Sequence, residues 1–320
     1  MRIVFCGTPQ FAVPTLKRLL AEPDFQIVGV ISQPDRPRGR GHVVSFSAVK
    51  GVALAAGLPV HQPEKIRSAE ARELLQKLAP DGVVMIAYGQ IIPAPLLSVA
   101  KLGWINLHAS LLPRYRGAAP INWAIANGET ETGVTTMRID SGMDTGEILL
   151  QREVPIGSTE AAPDLSARLA EAGAPLMEET LRGLMTGKIS GRAQDGSKAT
   201  FAPLLKREDG RIEWSLSAKE IFDRMRGFAP WPGAYTTFRG QTCHVWGEPV
   251  SKQMRKEAVE GKTGLAPGTL LQEKEELHVV CGGTTVLRVL TVKMEGRKQL
   301  TAAEFANGAR VKAGERFGIT

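Results

Sequence analysis

Short apolar runs alternate with helix-period stretches over the first 190 or so residues. Residues 2–6 (RIVFC) close on Gly7-Thr8-Pro9, Phe11, Leu16, Leu19 and Leu20 then share a helical face, and 27–32 (IVGVIS) form a second apolar run. Strand, helix and strand in so short a span predict a βαβ unit and hence a parallel sheet. The pattern continues with a helix over 47–57, a short strand at Leu58-Pro59-Val60, and a helix over 63–79 with Ile66, Leu74, Leu75 and Leu78 as its buried stripe. The unbroken apolar run 82–89 (GVVMIAYG), bounded by glycines, suits a central parallel strand. A short helix is expected near Pro93 and Pro95. In the next strand, GWINLHAS, Ile105 and Leu107 alternate with Asn106 and His108. A period of two gives it one buried face and puts the amide and the imidazole together on the other. Helix over 118–127, strand over 133–140, a glycine-flanked loop at 141–146, a further strand from Gly146 and a long helix over 163–186 complete this half.

Residues 187–208 hold Gly, Ser and Lys with few large apolar side chains and read as a linker. The expected division is a domain over 1–188, a linker over 189–208 and a second domain over 209–320. After a helix over 217–227 and a rigid aromatic turn, Phe228 to Gly233, the pattern changes to short runs: 234–238, 241–247, 268–272, 277–282 and 286–292. Short strands with frequent turns predict a small β-barrel or sandwich.

The chain has 320 residues, 43% hydrophobic and 23% charged, ordinary values for a soluble protein with room for two domains. No apolar run reaches the ~20 residues of a membrane helix, and the first residues lack the build of a signal peptide. Cys6, Cys243 and Cys281 are widely separated, so neither disulfides nor a zinc site is indicated, and a cytoplasmic location is expected. We read them as packing residues, and the isolated His42, His61, His244 and His278 as structural or solvent-facing; no metal is expected. The net charge is +7, spread as +4 over residues 209–320 and +3 over the rest. A mild, distributed excess permits a polyanionic partner without a concentrated patch.

Candidate chemistry starts with Asn106 and His108, because open α/β sheets place their sites at the carboxyl ends of central strands. An amide can donate to a developing oxyanion and an imidazole can move a proton near neutral pH. The competing reading is a buried strand end with two satisfied polar residues. Arg36, Arg38 and Arg40 are interleaved with Pro37, Gly39 and Gly41, which are expected to keep this loop out of regular structure. The loop is either a phosphate clamp or a solvated basic loop. Asp144, at a loop tip, either bonds its own backbone or faces His108 and stabilises its charged form. The Gly7-Thr8-Pro9 turn is not a GxGxxG fingerprint, so no dinucleotide is indicated.

The stretch HASLLPRYRGAAPIN, with AYGQIIP upstream and DSGMDTGEIL downstream, resembles the folate-dependent formyltransferase family. The QPDRPRGRG loop, RIEWSLSA and APWPGAY extend the resemblance to its tRNA-acting branch over nearly the whole chain. It implies a Rossmann-like parallel-sheet N-terminal domain and a C-terminal β-barrel domain of the OB type. The implied reaction moves the formyl group of 10-formyltetrahydrofolate to the amine of methionyl initiator tRNA. Separately from the resemblance, a monomer is expected. The family's catalytic set matches Asn106, His108 and Asp144. Its folate-lining turn matches Ser110, Leu111, Leu112 and Pro113. Its tRNA-contacting loop matches Arg36 to Gly41, with Arg36, Arg38 and above all Arg40 as the cations. After Arg40 the chain departs from the family pattern. His42 to Ser47 stand where lysines and a Pro-Ser-Pro are expected, so the loop carries less cationic density. Tyr235 replaces a second tryptophan after the aromatic turn.

In such a reaction Asn106 would donate to the oxyanion formed at the formyl carbon, joined by a cationic His108 held by Asp144. His108 or an Asp144-bound water would protonate the departing folate nitrogen. One rival is a related formyltransferase or folate hydrolase with a small-molecule acceptor. Another is a non-catalytic RNA-binding protein on the same scaffold.

Overall fold

The computed structural model describes residues 1–38, 43–251, 253, 264–273, 275–312 and 314–318. The chain forms two compact units. The first comprises Met1–Ile121, Glu131–Ile156 and Asp164–Pro203; the second comprises Asn122–Thr130, Gly157–Pro163 and Leu204–Thr320.

The first unit is built on a seven-stranded sheet. Its strands are β1 (Arg2–Gly7), β2 (Gln26–Ile31), β5 (Val60–His61), β6 (Gly82–Ile86), β7 (Trp104–His108), β8 (Glu131–Arg138) and β9 (Ile148–Pro155), in the order β5-β2-β1-β6-β7-β8-β9. The first five run parallel, as the βαβ pattern requires, and β8 and β9 are antiparallel. β7 therefore has a parallel neighbour on one side and an antiparallel one on the other. β1, β6 and β7 are buried on both faces, which is why they read as continuous apolar runs.

The single buried face expected for β7 is corrected by its burial: all five residues are buried. Its odd face lies under the long helix α6 (Ala162–Met185). A Cβ on Gly173 would come 2.4 Å from Leu107 Cδ2, so only glycine lets the helix approach this closely. On the even face Trp104 joins a core with Val4, Val83, Leu75 and Leu96, and its indole N–H donates to the Leu96 carbonyl at 2.7 Å. Asn106 and His108 continue that face beyond the apolar core.

Helices α1 (Val13–Ala21), α2 (Ala48–Ala55), α3 (Ala69–Leu78), α4 (Ala94–Leu97) and α5 (Pro120–Ala126) fall near their expected places. α3 starts later than its apolar stripe suggests, because Ser68 caps it by accepting from the Ala71 N–H. Ile66 is buried from the preceding loop instead. The expectation of an irregular basic loop is also corrected. Arg36–Arg38 (β3) and Val43–Ser45 (β4) pair as an antiparallel ribbon with Pro37 opposite Val44. A two-stranded ribbon has open edges on both sides, where a proline's missing N–H is tolerated.

The second unit holds an antiparallel sheet in the order β10-β11-β14-β13-β12, formed by Tyr235–Phe238, Gln241–Pro249, Val286–Met294, Glu276–Val280 and Leu270–Glu273, with β15 (Leu300–Thr301) added to β14. α7 (Ala218–Gly227) and α8 (Ala302–Ala309) supply Ile221, Phe222, Met225 and Phe305 to a core with Trp214, Val245, Leu277 and Phe317. This is the barrel-like architecture expected from the short alternating runs. α8 and β15 carried too little apolar pattern to be anticipated.

Candidate active site

β7 ends at His108, and the chain turns over Ser110 to Gly117 before α5. Thr135 on β8 fixes this turn: its hydroxyl donates to the Ser110 carbonyl (2.6 Å) and accepts from the Leu112 N–H (3.2 Å). The Gln151 amide on β9 donates to the Leu112 carbonyl at 2.9 Å, and Ser110 Oγ donates to the Arg114 carbonyl at 2.6 Å. Leu111, Leu112 and Pro113 line a cleft of about 590 Å³ with Arg114, Gln151 and Lys198. The four residues expected at a folate site thus form a braced turn beside an open, part-apolar cleft.

His108 is 6% exposed, and its Nε2 lies 2.9 Å from the Tyr115 carbonyl. A carbonyl only accepts, so Nε2 is assigned the proton. Nδ1 therefore carries a lone pair in the neutral ring and an N–H in the cation. Asp144 Oδ2 stands 3.7 Å from that Nδ1, and it also accepts from the Gly117 N–H at 2.8 Å. Of the two alternatives for Asp144, the geometry favours the one facing His108. The aspartate that braces its own loop is Asp140, which accepts from the Gly142 N–H at 3.0 Å and the Thr145 hydroxyl at 2.7 Å.

Asn106 is 7% exposed, and no described residue takes up its side-chain amide by a hydrogen bond. A nearly buried amide without a protein partner, one pleat period before His108, is poised for a ligand atom. Asn106, His108 and Asp144 are therefore brought together at the end of β7.

Sequence reasoning missed the scaffold around this cluster. Residues 191–202, within the stretch expected as a linker, are hydrogen-bonded into the first unit. Arg192 exchanges two backbone bonds with Ile148, both 2.8 Å, and Thr200 Oγ1 accepts from the Tyr115 N–H at 2.8 Å. The Ala202 N–H donates to the Arg116 carbonyl at 2.7 Å. Gly117 (φ +119°) abuts this segment so tightly that a Cβ would lie 2.7 Å from the Ala202 oxygen. Tyr115 (φ +58°) and Asp144 (φ +54°) are non-glycine residues in the left-handed region, a strain that clusters at functional sites. Gln194 bonds the Asp144 loop and Arg116. It sat in a stretch with no apolar rhythm, so periodicity carried no signal for it.

Of the expected tRNA contacts, Arg36 is exposed, with its guanidinium 4.0 Å from an equally exposed Glu64. Such a surface pair contributes little and leaves the cation available. Arg40 and His42 lie outside the described residues, as does the side chain of Arg38. Burial pushes the Cys243 and Cys281 thiols up to about 12 and raises Cys6 as well, in keeping with packing roles.

Fold and site together define an α/β protein whose polar cluster sits where a parallel sheet meets its antiparallel extension, followed by a separate antiparallel β unit. Residues 1–181 match the formyl transferase family and residues 204–310 match the family of formyl transferase C-terminal domains. The chain belongs to the formyl transferase family. It is 50% identical over 318 residues to the methionyl-tRNA formyltransferase of Solibacter usitatus, covering 99% of both chains. It is 48% identical over 320 residues to that of Koribacter versatilis, again covering 99% of both. Among solved structures, an N-formyltransferase from Helicobacter canadensis in complex with folinic acid and dTDP-3-aminofucose superimposes with a TM-score of 0.63 at 18% identity, over 90% of this chain and 98% of that one. HypX from Aquifex aeolicus in complex with tetrahydrofolic acid gives 0.58 at 15% identity, over 100% of this chain and 51% of that one. Likenesses at this identity establish a shared fold.

Proposed function

We propose that this chain transfers the formyl group of 10-formyltetrahydrofolate to the α-amino group of methionyl initiator tRNA. The observation that carries the proposal is a similarity of nearly half the residues, across both units, to enzymes named for that reaction. That identity runs through both units and far exceeds the 18% shared with the Helicobacter canadensis N-formyltransferase, which also aligns over most of this chain.

The chemistry asks for three things at one point: a donor for a carbonyl oxygen that gains negative charge, a proton source for a departing nitrogen, and a neutral amine. Asn106 Nδ2 is the free donor, and one such donor is worth roughly 3–4 kcal/mol of barrier. His108 Nδ1 bears an N–H when the ring is charged, and Asp144 Oδ2 stands 3.7 Å from it. The same Nδ1 is the site from which a proton passes to the leaving nitrogen, directly or through a water on Asp144. The turn from Ser110 to Pro113 fits the folate: Leu111 and Pro113 offer apolar surface to a ring system, and Arg114 and Lys198 on the same cleft suit carboxylates. When bound there, the folate supplies the activated formyl group. The second unit and Arg36, in a chain of net charge +7, suit a polyanionic acceptor.

The test is acceptor choice. With 10-formyltetrahydrofolate as donor, methionyl initiator tRNA should be formylated and a dTDP-amino sugar should not. The reverse preference would replace the tRNA reading with a small-molecule one.

A further inference from the structure

Arg116 is a guanidinium only 8% exposed, and among the described residues no carboxylate lies within ion-pair distance of it. A buried cation without a counter-charge is costly, so its position needs a reason. Its Nε and Nη2 both donate to one atom, Gln194 Oε1, at 3.1 and 2.7 Å. The other end of that amide, Nε2, donates to two main-chain carbonyls, of Asp144 at 2.8 Å and of Gly146 at 2.7 Å. The guanidinium fixes which way the amide faces and polarises it toward the two carbonyls.

These carbonyls belong to the residue held at φ +54° and to the glycine two positions on. The next residue after Arg116, Gly117, donates its N–H to the Asp144 carboxylate. One dipeptide therefore governs both ends of Asp144: the backbone through Gln194 and the carboxylate directly. The preceding residue, Tyr115, holds His108 Nε2.

We infer that Gln194, oriented by Arg116, is a positioning residue: it holds Asp144 in its left-handed conformation and so keeps the carboxylate on His108. The kinetic part of this inference rests on the formyl-transfer reading above. The clamp sets the rate of the transfer step and not the affinity for either substrate, because Gln194 acts through the loop backbone. Misplacement of a reacting group by about 1 Å costs on the order of a hundredfold in rate.

Gln194→Glu separates positioning from mere support. A glutamate still accepts from Arg116, now as an ion pair, but cannot donate to the Asp144 and Gly146 carbonyls. The segment itself stays anchored by the backbone bonds at Arg192 and Ala202. Two readouts are compared with wild type: amide hydrogen exchange of the 140–147 peptide in the unliganded protein, and steady-state formyl transfer. The expected result for Gln194→Glu is at least tenfold faster exchange confined to 140–147, kcat at least tenfold lower, KM for both substrates within threefold and a melting temperature only a few degrees below wild type. Gln194→Ala, without the ion pair, should show the same kinetic split. Unchanged loop exchange, kcat within twofold of wild type, or a KM that rises in step with the loss of kcat would each overturn the inference. The exchange readout needs no substrate, so it judges the clamp even where wild type fails to formylate methionyl initiator tRNA, which would instead refute the functional reading.

Discussion

His108 Nδ1 and Asp144 Oδ2 stand 3.7 Å apart, and each is secured by a backbone group from the same three-residue stretch. The Tyr115 carbonyl takes the far nitrogen of His108, and the Gly117 N–H takes the Asp144 carboxylate. The separation of the pair is thus set by a rigid piece of main chain. Removing the carboxylate while leaving Gly117 in place should cost activity without unfolding the protein. For Asp144→Ala we expect kcat lower by about a hundredfold or more, measured in steady-state transfer, with a melting temperature within a few degrees of wild type.

Asn106 offers an amide that no described residue uses. Asn106→Ala should therefore lower kcat by roughly a hundred- to a thousandfold while leaving stability nearly unchanged, because no intramolecular hydrogen bond is broken. Thermal unfolding and single-turnover kinetics on the same preparation check both halves. A large drop in melting temperature would mean that the amide serves the fold instead.

Gly117 is constrained both in its backbone angle and in its surroundings. Its φ of +119° is closed to other residues, and a Cβ would meet the Ala202 oxygen at 2.7 Å. Gly117→Ala should destabilise the protein by about 2 kcal/mol or more, read by chemical denaturation. Unchanged stability would mean that the 115–117 stretch and the 200–202 segment do not press on each other.

The sequence made some of this legible and hid the rest for physical reasons. A strand's period of two places Asn106 and His108 on one face, and that holds whatever packs around them. The same pattern underestimated burial, since a polar residue at the end of a two-sided strand looks like solvent exposure until the neighbouring elements are in place. Asp144 could be read from its loop tip only as one of two alternatives, bonding its own backbone or facing His108; its approach to His108 depends on hydrogen bonds from Gly117 and Gln194, which lie 27 and 50 positions away. Gln194, Thr200 and Ala202 act through polar and main-chain groups, and a reading tuned to apolar rhythm takes such a stretch for a linker. The basic loop misled in another way: Pro37 lies on an open ribbon edge, where its usual veto on strands does not apply.

Glu178 on α6 accepts from Arg18 Nε at 2.5 Å and Arg182 Nε at 2.9 Å. Burial pushes this carboxyl up, but the hydrogen bonds and charges of the two arginines outweigh it and hold it below its ordinary value. A carboxylate depressed in the folded state stabilises fully above its unfolded pKa and loses that contribution as pH falls through the folded value. The expected outcome is that Glu178→Gln lowers the melting temperature at pH 7 and narrows its gap to wild type as pH falls below about 4. Parallel curves for the two proteins across that window would contradict the assignment.

Acceptor binding through phosphates should weaken steeply with salt, while folate binding should change little. The KM for methionyl initiator tRNA, followed from 50 to 200 mM salt, should rise with a log–log slope that Arg36→Ala reduces by about one. A slope unaltered by Arg36→Ala would remove that residue from the contact.

The central claim is that the cluster at the end of β7 carries formyl transfer to methionyl initiator tRNA. Its most direct test is single-turnover transfer from 10-formyltetrahydrofolate by wild type and by His108→Ala. The account expects complete transfer by wild type and a rate at least about a hundredfold lower for the variant, with both proteins folded. Transfer at the wild-type rate by His108→Ala, or none by folded wild type, would contradict it.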